Sequence, residues 1–199
     1  MKILLVGASG TVGQGIATEL EKDNEIIRVG KTSGDYQVDL TREESVRNLF
    51  NQVGKVDAIV SATGGVHFGP LTSMTTEQFN LGLQDKFLGQ VRLVLIGQDF
   101  LSPGGSFTLT TGILAQQPIA QGVSATAVNG GLEAFVQAAA NELRQGQRIN
   151  AVSPTVLTEA LESYGPFFPG FESVPASRVA LAYRRSIQGV ESGRVYRVW

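Results

Sequence analysis

The chain has 199 residues, 42% hydrophobic and 17% charged, with one histidine, no cysteine and a net charge of −2. That length points to one domain with a sizeable core, and the missing cysteines exclude disulfide scaffolds, thiolate metal sites and a cysteine nucleophile. A single histidine, His67, excludes a histidine-rich metal centre; the mild acidity gives no basic footprint for nucleic acid, and no apolar run approaches the roughly 18–20 residues of a membrane span.

Residues 2–6 are a branched apolar run bounded by Gly7, too short for a signal-peptide core. They read as a strand buried on both faces of a parallel sheet, in a cytoplasmic protein. Over 11–22, Val12, Ile16 and Leu20 recur every four residues and predict a helix. Residues 25–29 predict a second strand. Thr41, with Glu44 three residues on, matches a capping box opening a helix with Val46, Leu49, Phe50 and Val53 on one face. Residues 56–60 predict a third strand, and Phe79, Leu83, Phe87, Val91 and Leu95 predict one long helix over 76–100. Pro103-Gly104-Gly105 breaks it before a fourth strand, 106–109. Leu132, Phe135, Val136, Ala139 and Leu143 share a face of a helix over 124–145, and 148–152 predict a fifth strand ended by Ser153-Pro154. An irregular aromatic stretch, 164–170, leads to a helix over 175–188 and a last strand over 194–198. Strands alternating with helices specify an α/β fold with right-handed crossovers, here a single domain over 1–199.

Glycine is in excess, 24 residues against an average of about 7%. Four glycines follow the first strand, in Gly7-Ala8-Ser9-Gly10-Thr11-Val12-Gly13 and Gly15. Gly7 permits a tight turn, Gly10 admits a pyrophosphate, and Gly13 allows close packing of helix on strand. The amides around Ser9, Thr11 and Val12 then hold the phosphates. With a strand before and a helix after, the loop predicts a dinucleotide-binding, doubly wound parallel sheet in three αβα layers, the Rossmann arrangement.

NAD sites place an acid at the end of the second strand, but this chain has Gly30-Lys31-Thr32-Ser33. A lysine and two hydroxyls suit a 2′-phosphate, so NADP(H) is expected over NAD(H); the alternative is a solvated lysine in a polar turn. Asp39 either accepts from the adenine amino group or caps the helix at Thr41.

The order of these motifs resembles the short-chain dehydrogenase/reductase superfamily over nearly the whole chain. Asp39-Leu40 stands in its adenine-contact position, and Ser61-Ala62-Thr63-Gly64 in place of its Asn-Asn-Ala-Gly. Leu109-Thr110-Thr111-Gly112 stands where its fourth strand ends in Ser-Ser. Asn150-Ala-Val-Ser-Pro154 is similar to its nicotinamide-side Pro-Gly motif, with Thr155 replacing glycine. Val156 and Thr158 follow on the carboxamide side. The resemblance implies hydride transfer with a nicotinamide cofactor on a small carbonyl or alcohol, and a homodimer or homotetramer through the long helices. The Phe79–Leu95 stripe and Ala138-Ala-Ala140 suit that interface.

The family's Tyr-x-x-x-Lys pair is missing. Aligned on Asn141-Glu142-Leu143, Ala125 stands at the tyrosine and Asn129 at the lysine. Alanine donates no proton, whereas Asn129 still suits ribose hydroxyls. Gly130-Gly131 lets that helix pack closely. The family's serine becomes Thr111, or Thr110, and its helix asparagine becomes Lys86. Lys86 then supplies charge or a proton once burial lowers its pKa, or it is a snorkelling surface lysine. Tyr164, beside the loop of Phe167, Phe168 and Phe171, either replaces the missing acid or lines the pocket, and His67 is a weaker candidate. No metal set emerges, and a solvated surface accounts for Arg178, Arg184, Arg185, Arg194 and Arg197. Two readings stand: an NADP(H)-dependent oxidoreductase with a non-standard proton donor built on Thr111, Lys86, Asn129 and Tyr164, and a catalytically silent NADP(H)-binding sensor or partner-binding protein.

Overall fold

A computed structural model describes residues 1–199. Seven strands form one parallel sheet: β1 Lys2–Val6, β2 Glu25–Gly30, β3 Tyr36–Gln37, β4 Val56–Ser61, β5 Leu101–Thr110, β6 Arg148–Pro154 and β7 Val195–Val198. Their order is β3-β2-β1-β4-β5-β6-β7. The helices are α1 Thr11–Leu20, α2 Glu43–Val53, α3 Thr76–Gly82, α4 Leu88–Gly97, α5 Val123–Ala139, α6 Leu161–Tyr164 and α7 Ala176–Gln188. None is long and apolar enough to cross a membrane.

The apolar strands are buried on both faces because successive side chains point to opposite sides. In β1, Leu4 and Val6 enter a core of 24 buried residues with α2, α4 and α5. Ile3 and Leu5 enter a second core of 16 with α1 and α7. Two cores with the sheet between them are the three-layer α/β arrangement expected from the alternation of elements.

Several local expectations need correction. The two-residue strand β3 is too short to show any periodicity, so the pattern missed it. Thr41 and Glu44 form no capping box: α2 starts at Glu43 with no side-chain cap. Asp39 Oδ1 instead accepts the Thr41 amide and hydroxyl at 3.0 and 2.7 Å. A capping box does exist, between Thr75 and Gln78 at the start of α3.

The long helix is interrupted by a π-turn at Leu83–Phe87 between α3 and α4. β5 starts at Leu101 and runs through Pro103-Gly104-Gly105, with a register irregularity between Val56 and Ala58 on β4. α5 stops at Ala139 rather than near 145. Only one of its two glycines explains close packing: a Cβ on Gly131 would stand 3.0 Å from the Phe87 ring, whereas Gly130 has nothing within 4 Å.

Candidate functional site

The strand order reverses between β1 and β4, and open α/β sheets bind ligands beyond the strand ends at that point. A cleft of about 260 Å³ opens there. Its walls are Gly7, Ser9 and Gly10 after β1, Lys31 after β2, Asp39 and Leu40 after β3, Ala62, Thr63 and Gly64 after β4, and Asp85.

Gly7 has φ +88°, and a Cβ there would collide with Ala62 O and the Thr63 methyl. A Cβ on Gly13 would collide with Gly7 O. At Gly10 the nearest atom would be 3.6 Å away, so space remains in front of α1. No side chain caps this helix, and the Thr11 and Val12 amides have no acceptor within the chain. Unpaired amides at a positive helix end hold anions, so these residues fit a pyrophosphate.

Lys31 is exposed and lines the cleft; Thr32 and Ser33 do not. The turn folds Ser33 back until its carbonyl stands 2.7 Å from where a Gly30 Cβ would be, and Gln37 bonds the Thr32 carbonyl at 3.2 Å. Lys31 is thus the cleft's only cationic side chain. The bonds from Thr41, hydroxyl first and amide second, hold the Asp39 carboxyl below its ordinary value.

Beyond the cleft the π-turn decides the geometry. A π-turn inserts an extra residue and re-aims the side chains around it. Asp85 accepts the Gly65 amide at 2.6 Å, and Lys86 lies against Gly64, which has φ +115°. Lys86 Nζ then donates to Thr111 O at 3.3 Å. Burial pushes its pKa down to about 8.

Thr110, the last residue of β5, and Thr111 after it face opposite ways. Thr110 Oγ1 bonds Ser61 O and the Tyr183 hydroxyl of α7. Burial, partly offset by that bond, raises the Tyr183 pKa. Thr111 Oγ1 lies 3.4 Å from both Glu133 Oε1 of α5 and Val152 O. Gln90 grips the Thr110 backbone, giving to its carbonyl at 2.9 Å and taking its amide at 2.8 Å.

Asn129 is buried, its Nδ2 3.2 Å from where a Cβ on Gly112 would stand. Its Oδ1 has no donor. Such an orphan costs about 1–3 kcal/mol, a cost that a ligand hydroxyl would remove. Lys86, Thr111 and Asn129 therefore converge at the end of β5.

Tyr164 does not join them. It is 49% exposed on α6 and makes no side-chain hydrogen bond. Ala125 is buried with Ile113 and Leu114 in a small apolar cluster against Phe68, Phe168 and Phe171. After β6, Val156 O accepts the Val174 amide at 3.1 Å and leaves its own amide unpaired. Pro154 ends β6, and the Thr158 hydroxyl pairs with Ser173 at 3.2 Å. His67 makes no side-chain hydrogen bond and lines an adjoining cleft with Lys31 and Asp85. Of the arginines, Arg184 pairs with Glu19 and Asp23, and Arg185 and Arg194 with Glu191.

Sequence reasoning passed over Asp85, Gln90, Gln116 and Glu133. Glu133 is 6% exposed and takes the Gln116 side-chain amide. Its signal was an acid inside the Leu132–Val136 apolar stripe, one helical turn after Asn129.

A family model described as Enoyl-(Acyl carrier protein) reductase matches residues 11–195. Hydroxynaphthalene reductase arp2 of Aspergillus fumigatus is 25% identical over 175 residues, which cover 76% of this chain. The match spans 64% of that relative, a little under two thirds of its length. The structure of the protein lin1944 from Listeria innocua superposes with a TM-score of 0.99 at 50% identity, covering both chains completely. A small-chain dehydrogenase in complex with NADPH superposes with a TM-score of 0.89 at 26% identity, over 100% of this chain and 96% of that one.

Proposed function

The chain belongs to the short-chain dehydrogenase/reductase superfamily of oxidoreductases, and from that premise we propose that it moves hydride between NADP(H) and a small carbonyl or alcohol. The placement of Lys86 on the Thr111 carbonyl and of Asn129 beside Gly112, together with a cleft walled by an uncapped helix end, carries this reading. Bound NADP(H) would supply or receive the hydride. Thr11 and Val12 would hold the pyrophosphate, Lys31 the 2′-phosphate, and Asn129 Oδ1 a ribose hydroxyl. The NADPH complex of a 26% identical relative supports that cofactor here.

With Ala125 unable to act as an acid, Thr111 and Lys86 would meet the reacting oxygen. The Lys86 ammonium lowers the cost of negative charge developing there, and an amine with a pKa of about 8 is matched to proton transfer near neutrality. The cluster of Ile113, Leu114, Phe168 and Phe171 supplies an apolar wall for the substrate. A pairing of copies through α4 and α5 is supported by the exposed Leu95 beside Phe135 and Ala138.

One observation favours the sensor reading: Ala125, at the position of the family's acid, is closed over by apolar side chains. NADPH oxidation across a panel of aldehydes, ketones and quinones separates the two. Turnover that falls in Lys86→Met and Thr111→Val supports the oxidoreductase. Sub-millimolar NADPH binding with no turnover on any substrate supports the sensor.

A further inference from the structure

Glu133 is a buried carboxylate that none of the roles above uses. It lies four residues after Asn129 on α5, so the two share one face of the helix. One oxygen accepts from Gln116 Nε2, and the other stands 3.4 Å from Thr111 Oγ1. No lysine or arginine pairs with it. A buried acid held by an amide and a hydroxyl, without a counter-ion, is costly to keep for packing alone.

We propose that Glu133 is the proton store of this site and that Thr111 connects it to the reacting oxygen. This rests on the oxidoreductase reading and names the group that replaces the missing tyrosine. The Thr111 hydroxyl has one proton and two acceptors at equal distance, Glu133 Oε1 and Val152 O. Val152 O already receives the Thr111 amide at 2.9 Å, and a carboxylate is the stronger acceptor. The hydroxyl proton therefore goes to Glu133, leaving the Thr111 lone pairs for a substrate O–H. At 3.4 Å the bond is long, as catalytic hydrogen bonds often are before substrate binds.

The step balances. As the alcohol's carbinol carbon gives its hydride to NADP⁺, its O–H proton passes to Thr111 Oγ1 and the Thr111 proton passes to Glu133. The products are a carbonyl compound, NADPH and a protonated Glu133, which then returns its proton to solvent. In reduction the same atoms move in reverse, and protonated Glu133 refills Thr111 as Thr111 protonates the carbonyl oxygen.

Other charged groups on elements packed against α5 are engaged elsewhere or reach Thr111 from another side. Lys86 donates to the Thr111 carbonyl, Asp85 accepts the Gly65 amide, Arg148 of β6 reaches the Ser186 and Ile187 carbonyls, and Glu77 lies exposed in the first turn of α3.

The test uses the full chain with Glu133→Gln, Thr111→Val and Thr111→Ser. The expected result is a loss of at least about 100-fold in kcat for Glu133→Gln, with KM and NADPH affinity unchanged. Thr111→Ser should restore what Thr111→Val removes, which keeps the kinetics decisive if Glu133→Gln does not fold. The infrared carboxylate band of Glu133, assigned by difference against Glu133→Gln, gives a readout without turnover: Thr111→Val should shift it by removing a hydrogen-bond donor, and Thr111→Ser should not. An undiminished kcat in Glu133→Gln, or a carboxylate band indifferent to Thr111→Val, overturns the relay and leaves the oxidoreductase reading intact. Absence of turnover by the parent chain on every substrate would remove that reading and the relay with it.

Discussion

Gly64 touches Lys86 so closely that a Cβ on the glycine would overlap the lysine's Cα, Cβ and Cγ. The contact joins the end of β4 to the π-turn and sets how far Lys86 reaches toward Thr111. Gly64 also has φ +115°, which a side chain rarely adopts. Gly64→Ala should therefore cost about 1–3 kcal/mol, read as a lower midpoint in chemical denaturation. It should also lower turnover by moving Lys86. A variant as stable and active as the parent would show that the contact is dispensable.

Lys86 has a pH signature in stability. Its pKa is about 8 in the fold against 10.5 normally, so between those values the unfolded chain binds more protons. Stability should rise with pH across that window, the burial cost being fully present below pH 8 and relieved by pH 10.5. Lys86→Met should be more stable than the parent at pH 7, by an order of 1–3 kcal/mol, and the two should converge toward pH 10.5. Parallel stability curves would contradict the desolvation of this half-buried lysine.

At Asn129, stability and binding should trade against each other. Its Oδ1 is buried without a donor, so Asn129→Leu should stabilise the free chain by about 1 kcal/mol. The same change should weaken NADPH binding, because the acceptor for a ribose hydroxyl is gone. Melting temperatures with and without NADPH measure both effects, and a variant that binds NADPH as tightly as the parent would remove Asn129 from the cofactor site.

Lys31 is the cleft's sole cation, without the two hydroxyls expected beside it. Lys31→Ala should weaken NADPH roughly tenfold, as loss of one exposed charge-assisted contact does. NADH affinity should hold. Calorimetry distinguishes this from a general role, since equal losses for both cofactors would mean that Lys31 does not read the 2′-phosphate.

The legible parts of the sequence were those where one residue type has one physical reason. Gly7 and Gly13 stand where any Cβ would collide, and the alternation in β1 feeds two cores. The site was less legible because it depends on register. The Phe79–Leu95 stripe reads as one helix, since the π-turn interrupts the backbone without interrupting the apolar pattern. Thr110 and Thr111 are indistinguishable in sequence until their strand shows that only Thr111 faces α5. Glu133 was passed over because burial cannot be read from one residue. Tyr164 was reached from the family's usual loop position, but α6 leaves it exposed without a partner.

The most direct test is a crystal structure of the chain with NADP⁺. The expected structure has the pyrophosphate on the Thr11 and Val12 amides, the 2′-phosphate at Lys31, and a nicotinamide ribose hydroxyl on Asn129 Oδ1. Thr111 Oγ1 should stand beside the open face of nicotinamide C4. A nicotinamide directed away from Thr111, or a dinucleotide bound outside the β1–β4 crevice, would contradict the account.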